Sequence, residues 1–107
     1  MTDALIEKTL EQGVLWLTLN NAEQRNPLSS TMLAEITSSL ETAYDHHEVR
    51  CIVIAGRGPV FSAGHDLTEM ARRSDETSEA WKRRVMDILE ACAAMMQRIV
   101  HGPKAVI

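Results

Sequence analysis

The sequence predicts an α/β domain, and three observations carry that reading. Short apolar runs rich in β-branched residues occupy 5–10, 14–19 and 50–55; apolar residues at helical spacing fill 32–44 and 81–99; glycine- or proline-marked turns separate the two kinds. At 107 residues the chain allows one modest domain, which buries somewhat over ~60% of its unfolded surface. Apolar content of 45% and charged content of 24% exclude disordered and fibrous classes. Eleven basic against fifteen acidic residues leave a net charge of −4, the wrong sign for a nucleic-acid backbone partner. With aromatics at only 4%, base-stacking platforms are nearly absent and the core has to be aliphatic.

The elements follow in order. Leu5–Leu10 and Val14–Leu19 read as two antiparallel strands joined through Glu11-Gln12-Gly13. Asn20 to Pro27 is polar and turn-rich, and Pro27 stops a helix from running through Asn26. Met32, Leu33, Ile36, Leu40, Ala43 and Tyr44 then form a helical stripe, with Ser29 or Ser30 as N-cap and an end near Asp45-His46-His47-Glu48. Arg50–Ala55, closed by Gly56, reads as a strand buried on both faces. A glycine-punctuated loop, Gly56 to Gly64, leads to a helix starting at or near Asp66, where Glu69 stands in position for a capping box. From Ser78 a long helix places Trp81, Val85, Ile88, Leu89, Cys92, Met95, Met96 and Ile99 on one face and stops before Gly102-Pro103. Ala105-Val106-Ile107 reads as the beginning of a further strand, so the chain is expected to be a truncated portion of its domain.

Cys51 and Cys92 have no CxxC spacing, which argues against a disulfide framework or a structural zinc site and fits a reducing compartment. No basic, apolar leader opens the chain, Asp3, Glu7 and Glu11 are unlike a transit segment, and no run approaches ~18 apolar residues. A cytoplasmic protein without membrane partners is expected.

The segment richest in chemistry is Phe61-Ser-Ala-Gly-His-Asp-Leu67. An N–H near His65, at the start of a helix, could bond an anion or a developing oxyanion, and the small Ala63 and Gly64 would let a ligand approach the backbone. Read from spacing alone, a plain strand-to-helix connection outweighs that reading. Ser62, His65 and Asp66 do not make a hydrolase triad, because they are neighbours and Val60 stands where a nucleophile elbow needs glycine. Phe61 breaks a GxGxxG pattern, and no Gly-Lys-Ser/Thr ends a Walker A loop. His46-His47-Glu48 reads as a solvated turn with diverging histidines rather than a metal cluster. Lys82-Arg83-Arg84 reads as a solvated basic run, and Arg25 is the better candidate for a phosphate-bearing ligand.

Taken together, Leu15-Trp-Leu-Thr-Leu-Asn20, Gln24-Arg-Asn-Pro-Leu-Ser29, Val49-Arg-Cys-Ile-Val-Ile-Ala-Gly56, Pro59-Val-Phe-Ser-Ala-Gly-His-Asp-Leu67 and Gly102-Pro-Lys-Ala-Val-Ile107 resemble the N-terminal part of the crotonase superfamily, the enoyl-CoA hydratase and isomerase relatives. The resemblance covers the whole chain. It implies that 1–107 is the N-terminal part of a single acyl-CoA-binding domain, a spiral of ββα turns, assembled as a homo-oligomer, trimer or hexamer. It implies an acyl-CoA thioester as partner, coenzyme A entering as part of the substrate, and no tightly bound cofactor. The thioester oxygen would take the backbone N–H of His65, and coenzyme A would contact Gln24, Arg25, Pro27, Ala63, His65, Asp66 and Leu67. The family's second oxyanion glycine and the hydratase acids would fall beyond Ile107, and His65 replaces the alanine of many hydratases. The implied function is therefore an enoyl-CoA hydratase/isomerase family protein, weak or inactive as this chain; the alternative is a non-catalytic acyl-CoA-binding or assembly module.

Overall fold

The computed structural model describes residues 4–107. Strands β1 (Ile6–Glu11) and β2 (Val14–Leu19) form an antiparallel hairpin with Ile6 opposite Leu19 and Glu11 opposite Val14. Gln12 (φ 50°) and Gly13 (φ 84°) are both left-handed, the backbone a two-residue turn needs to match the twist of its strands. Helix α1 (Ser30–Tyr44) crosses over to β3 (Cys51–Gly56), which runs parallel to β2 with Leu15 beside Ile52. A four-residue helix α2 (Leu67–Met70) and the long α3 (Ser78–His101) precede β4 (Ala105–Val106), which adds parallel to β3. The sheet order is β1-β2-β3-β4.

Ser29, rather than Ser30, caps α1, its Oγ accepting from the Met32 N–H at 3.1 Å. The stripe of α1 is buried as its spacing predicts: Met32, Leu33, Ile36, Leu40 and Ala43 lie with Ile6, Leu17, Leu19, Val49, Ile52, Ile88 and Met95 in one core. That core is aliphatic and thioether throughout. At the far end of α1 the Lys104 ammonium donates to the Ala43 and His46 carbonyls at 2.7 and 2.6 Å, a cation on the negative pole of a helix. Gly102 is required there by close approach, since a Cβ would stand 2.3 Å from the Tyr44 ring, whose hydroxyl donates to the Arg98 carbonyl.

Two expectations about burial need correction. β3 is not buried on both faces: Ile52 is fully buried, but Cys51, Val53, Ile54 and Ala55 are only half-buried. Both long helices share a core with Leu17, Leu19 and Ile52; Trp16, beside Val53 on the opposite face of the sheet, stays 41% exposed. Similarly, of the predicted apolar face of α3 only Ile88 and Met95 are buried, while Leu89 and Met96 are exposed along with Met86 and Val100. The apolar stripe of α3 is wider than the line along which it meets the shorter α1. No helix among the described residues is long and apolar enough to cross a membrane.

Candidate functional site

Two loops meet at the end of the sheet where β2 and β3 stop. The first, residues 20–29, contains two consecutive left-handed residues, Arg25 (φ 64°) and Asn26 (φ 51°). Asparagine tolerates that conformation better than most side chains. Asn26 is fully buried and ties the loops together: its Nδ2 lies 3.0–3.1 Å from the carbonyls of Arg57, Val60 and Phe61, and its Oδ1 accepts the Asn21 N–H at 2.7 Å. The second loop, 56–66, is closed against the first by three further bonds. Ala63 N–H donates to the Arg25 carbonyl (2.8 Å), Leu28 N–H to the Gly64 carbonyl (2.7 Å) and Ser62 Oγ to the Asn26 carbonyl (2.7 Å). Gly56 permits this closeness, because a Cβ there would sit 2.4 Å from the Phe61 carbonyl oxygen.

A cleft of about 590 Å³ opens between these loops, walled by Asn21, Gln24, Pro27, Ser29, Ala63, His65, Asp66, Leu67 and Thr68. Six of the residues singled out in the sequence, Gln24, Pro27, Ala63, His65, Asp66 and Leu67, thus share one cavity. Arg25 is the exception: it contributes its carbonyl to the loop closure and its side chain does not line the cleft. Among the described residues the His65 N–H makes no hydrogen bond. It is a free donor that follows the engaged amides of Ala63 and Gly64 and precedes the capped amides of Thr68 and Glu69. Leu67, on the cleft wall, is 79% exposed and presents an apolar edge to a ligand.

The electrostatics differ from the sequence expectation in one respect. α2 has only four residues, too short for a macrodipole to focus an anion, and Asp66 Oδ1 already occupies the N–H groups of Thr68 and Glu69 at 3.0 and 3.2 Å. What the cleft offers an oxyanion is the unengaged amide of His65 rather than the dipole of a long helix. Nor does the capping box close. Glu69 turns its carboxylate to the other segment, accepting from the Ser30 N–H (2.9 Å) and hydroxyl (2.9 Å) at the first turn of α1. One glutamate therefore holds α2 against the helix whose N-cap Ser29 lines the cleft.

Ser62, His65 and Asp66 are not assembled as a triad: Ser62 Oγ is committed to the Asn26 carbonyl and the Gly64 N–H, and His65 Nδ1 is buried without a partner. His46 and His47 do not diverge; their rings stack at 6.0 Å, almost parallel. Arg84 departs from a solvated basic run. Its guanidinium binds Glu76 at 2.8 and 2.9 Å and the Glu69 and Ala71 carbonyls, fastening α3 to the segment after α2 and holding the Glu76 carboxyl down to about 2. Arg57, at the start of the second loop, pairs with Glu7 on β1, and that hydrogen bond lowers the Glu7 carboxyl from its ordinary value. Sequence reasoning missed Asn26 and Glu69 as organisers of this region. The signal for Asn26 was its place before Pro27 in a loop that has to reverse direction.

The profile of the enoyl-CoA hydratase/isomerase family matches residues 9–106. Among curated proteins, the chain is 37% identical over 95 residues to the zebrafish (Danio rerio) enoyl-CoA hydratase domain-containing protein 3, mitochondrial, covering 89% of this chain and 31% of that protein. It is 33% identical over 89 residues to 2,3-dehydroadipyl-CoA hydratase of Escherichia coli, covering 78% of this chain and 34% of that protein. Among solved structures, an enoyl-CoA hydratase/isomerase family protein from Silicibacter pomeroyi superposes with a TM-score of 0.83 at 38% identity, over 95% of this chain and 41% of that one. The chain spans about a third of the length of these curated relatives.

Proposed function

This chain belongs to the enoyl-CoA hydratase/isomerase family and has the N-terminal portion of the crotonase-like fold, and from that premise we propose that its cleft binds an acyl-CoA thioester and polarises the thioester carbonyl through the His65 N–H. The observation that carries the proposal is the free His65 amide on the wall of a cleft built by the two predicted ligand loops. A carbonyl oxygen that gains negative charge needs a donor already aimed and not competed for by the protein, and an amide left unpaired by its own loop meets that need. Gln24, Pro27, Ala63, Asp66 and Leu67 are the walls against which the coenzyme A portion would lie, with Arg25 beside them.

The chemistry available to this chain alone stops at binding and polarisation. Asp66 is the one carboxylate on the cleft wall, and its Oδ1 is engaged by two backbone amides, so it is poorly placed as a general acid or base. Hydration and double-bond migration both need a proton donor or acceptor beside the polarised thioester. We therefore expect the 107 residues by themselves to bind acyl-CoA and turn it over weakly or not at all. Coenzyme A enters as part of the substrate, with no tightly bound cofactor. A homo-oligomer, trimer or hexamer, and a cytoplasmic setting belong to the same proposal. The exposed Met86, Leu89, Met96 and Val100 on α3 supply an apolar surface for assembly, and Cys51 and Cys92 are both free thiols. The zebrafish relative carries a mitochondrial designation in its name, so fluorescent tagging of the natural protein decides the compartment.

Calorimetric titration tests the binding claim. Butyryl-CoA should saturate at one site per chain, and Ala63→Trp, which fills the cleft, should weaken it by about tenfold or more, some 1.4 kcal/mol. No heat with butyryl-CoA, together with self-association in sedimentation, would replace the ligand-binding reading with an assembly role.

A further inference from the structure

We propose that Ser62 and Asn26 act as positioning residues that aim the His65 N–H into the cleft, an inference that rests on the thioester-binding reading above. In a planar trans peptide the C=O and the following N–H point in opposite directions. Whatever anchors the Gly64 carbonyl therefore sets the direction of the His65 N–H. Leu28 N–H holds that carbonyl at 2.7 Å, within a parallel bridge between Leu28 and His65. The His65 N–H is thereby turned away from Leu28.

One anchored oxygen leaves the peptide free to rock about it, and Ser62 removes that freedom. Its Oγ accepts the N–H of Gly64 at 3.1 Å while donating to the Asn26 carbonyl at 2.7 Å, so both ends of Gly64 are held. Gly64 itself is left-handed (φ 89°), and a Cβ there would meet nothing within 4 Å; its conformation, not crowding, is what the turn requires. The other end of the Ser62 bridge would be soft if Asn26 were mobile. Asn26 is fully buried and held through its side chain to Asn21, Arg57, Val60 and Phe61, which anchors the residue whose carbonyl Ser62 reaches. The order of dependence is thus Asn26 on the glycine loop, Ser62 on Asn26, Gly64 on Ser62 and the His65 amide on Gly64. An oxyanion donor contributes most when it needs no reorganisation as charge develops, and this chain of bonds supplies that rigidity.

The experiment uses the protein at its full natural length and 4-aminocinnamoyl-CoA as probe, whose absorption moves to the red when its thioester oxygen is polarised. Free coenzyme A serves as the control for binding of the carrier. Ser62→Ala should lose most of the red shift while its affinity for free coenzyme A stays within about twofold of the parent, under 0.5 kcal/mol. Ser62→Thr, which keeps the hydroxyl, should restore the shift. If Ser62→Ala does not fold by circular dichroism, Ser62→Cys, close in size with a weak donor, takes its place with the same expected loss. A full red shift in the hydroxyl-free variant would overturn the proposal. So would a parallel loss of coenzyme A affinity and red shift in a folded variant, since that is the mark of a merely structural role. A parent protein that binds the probe without any red shift would instead sink the polarisation reading itself, which separates the two failures.

Discussion

Replacing Asn26 by alanine and, separately, by glycine measures how the site loops are held. Either change removes the Oδ1 acceptor of the Asn21 N–H and an Nδ2 group whose two hydrogens face the carbonyls of Arg57, Val60 and Phe61. Counting three hydrogen bonds at about 1 kcal/mol each, both variants should lose about 3 kcal/mol. That is a large part of the ~5–15 kcal/mol that holds a domain of this size. The two variants differ in what the backbone demands. With φ at 51°, alanine meets a left-handed cost of ~1–2 kcal/mol, whereas glycine meets a loss of ~0.4–1 kcal/mol from the greater freedom of its unfolded chain. Glycine should therefore be the more stable variant by roughly 0.5–1 kcal/mol, the reverse of the usual order. Equilibrium urea unfolding reads both numbers, the order of the two midpoints being the sharper. An alanine variant as stable as the glycine variant or more so would refute the left-handed argument, and losses under about 1 kcal/mol in both would refute the hydrogen-bond count.

Other consequences follow from the same geometry. Lys104→Met removes two charge-assisted bonds, to the Ala43 carbonyl in the last turn of α1 and to the His46 carbonyl just after it, and should cost about 1–3 kcal/mol in a thermal melt; an unchanged midpoint would mean that water replaces the ammonium freely. The Glu76 carboxyl, held at about 2 against 4.5 by Arg84, contributes stability that is fully present above pH 4.5 and is lost as pH falls through 2. Glu76→Gln should accordingly flatten the acid limb of the stability curve in that window, and an acid limb identical to the parent's would contradict the pairing. Gly56→Ala should destabilise by about 2–4 kcal/mol, because its Cβ would stand 2.4 Å from the Phe61 carbonyl and backbone would have to move; a urea midpoint like the parent's would show that the loop yields.

Much of this arrangement could be read from the residues. The hairpin, the α1 stripe and the strand before the glycine loop stood out because alternation, helical spacing and turn residues agree in each. The cleft was legible through the Phe61 to Leu67 motif, whose small residues and capping aspartate belong at a strand-to-helix turn. What could not be read was long-range. Glu69 is in register for a local capping box, but Ser30, thirty-nine positions away, offers its carboxylate both an amide and a hydroxyl. Arg84 looked like one of three solvated cations until the chain folded Glu76 and two carbonyls around it. Burial of β3 and α3 was overestimated for a related reason, since an apolar run shows that a face can be covered but not what covers it. The bond from the Ala63 N–H to the Arg25 carbonyl is equally long-range, a backbone role that side-chain chemistry does not announce.

The most direct test follows the backbone amide of His65 by nitrogen–proton NMR while the protein is titrated first with free coenzyme A and then with butyryl-CoA. The account predicts a large downfield proton shift at His65 with the thioester and little change there with coenzyme A alone, as the amide gains its missing acceptor. Saturating thioester binding that leaves the His65 resonance where it was would contradict it.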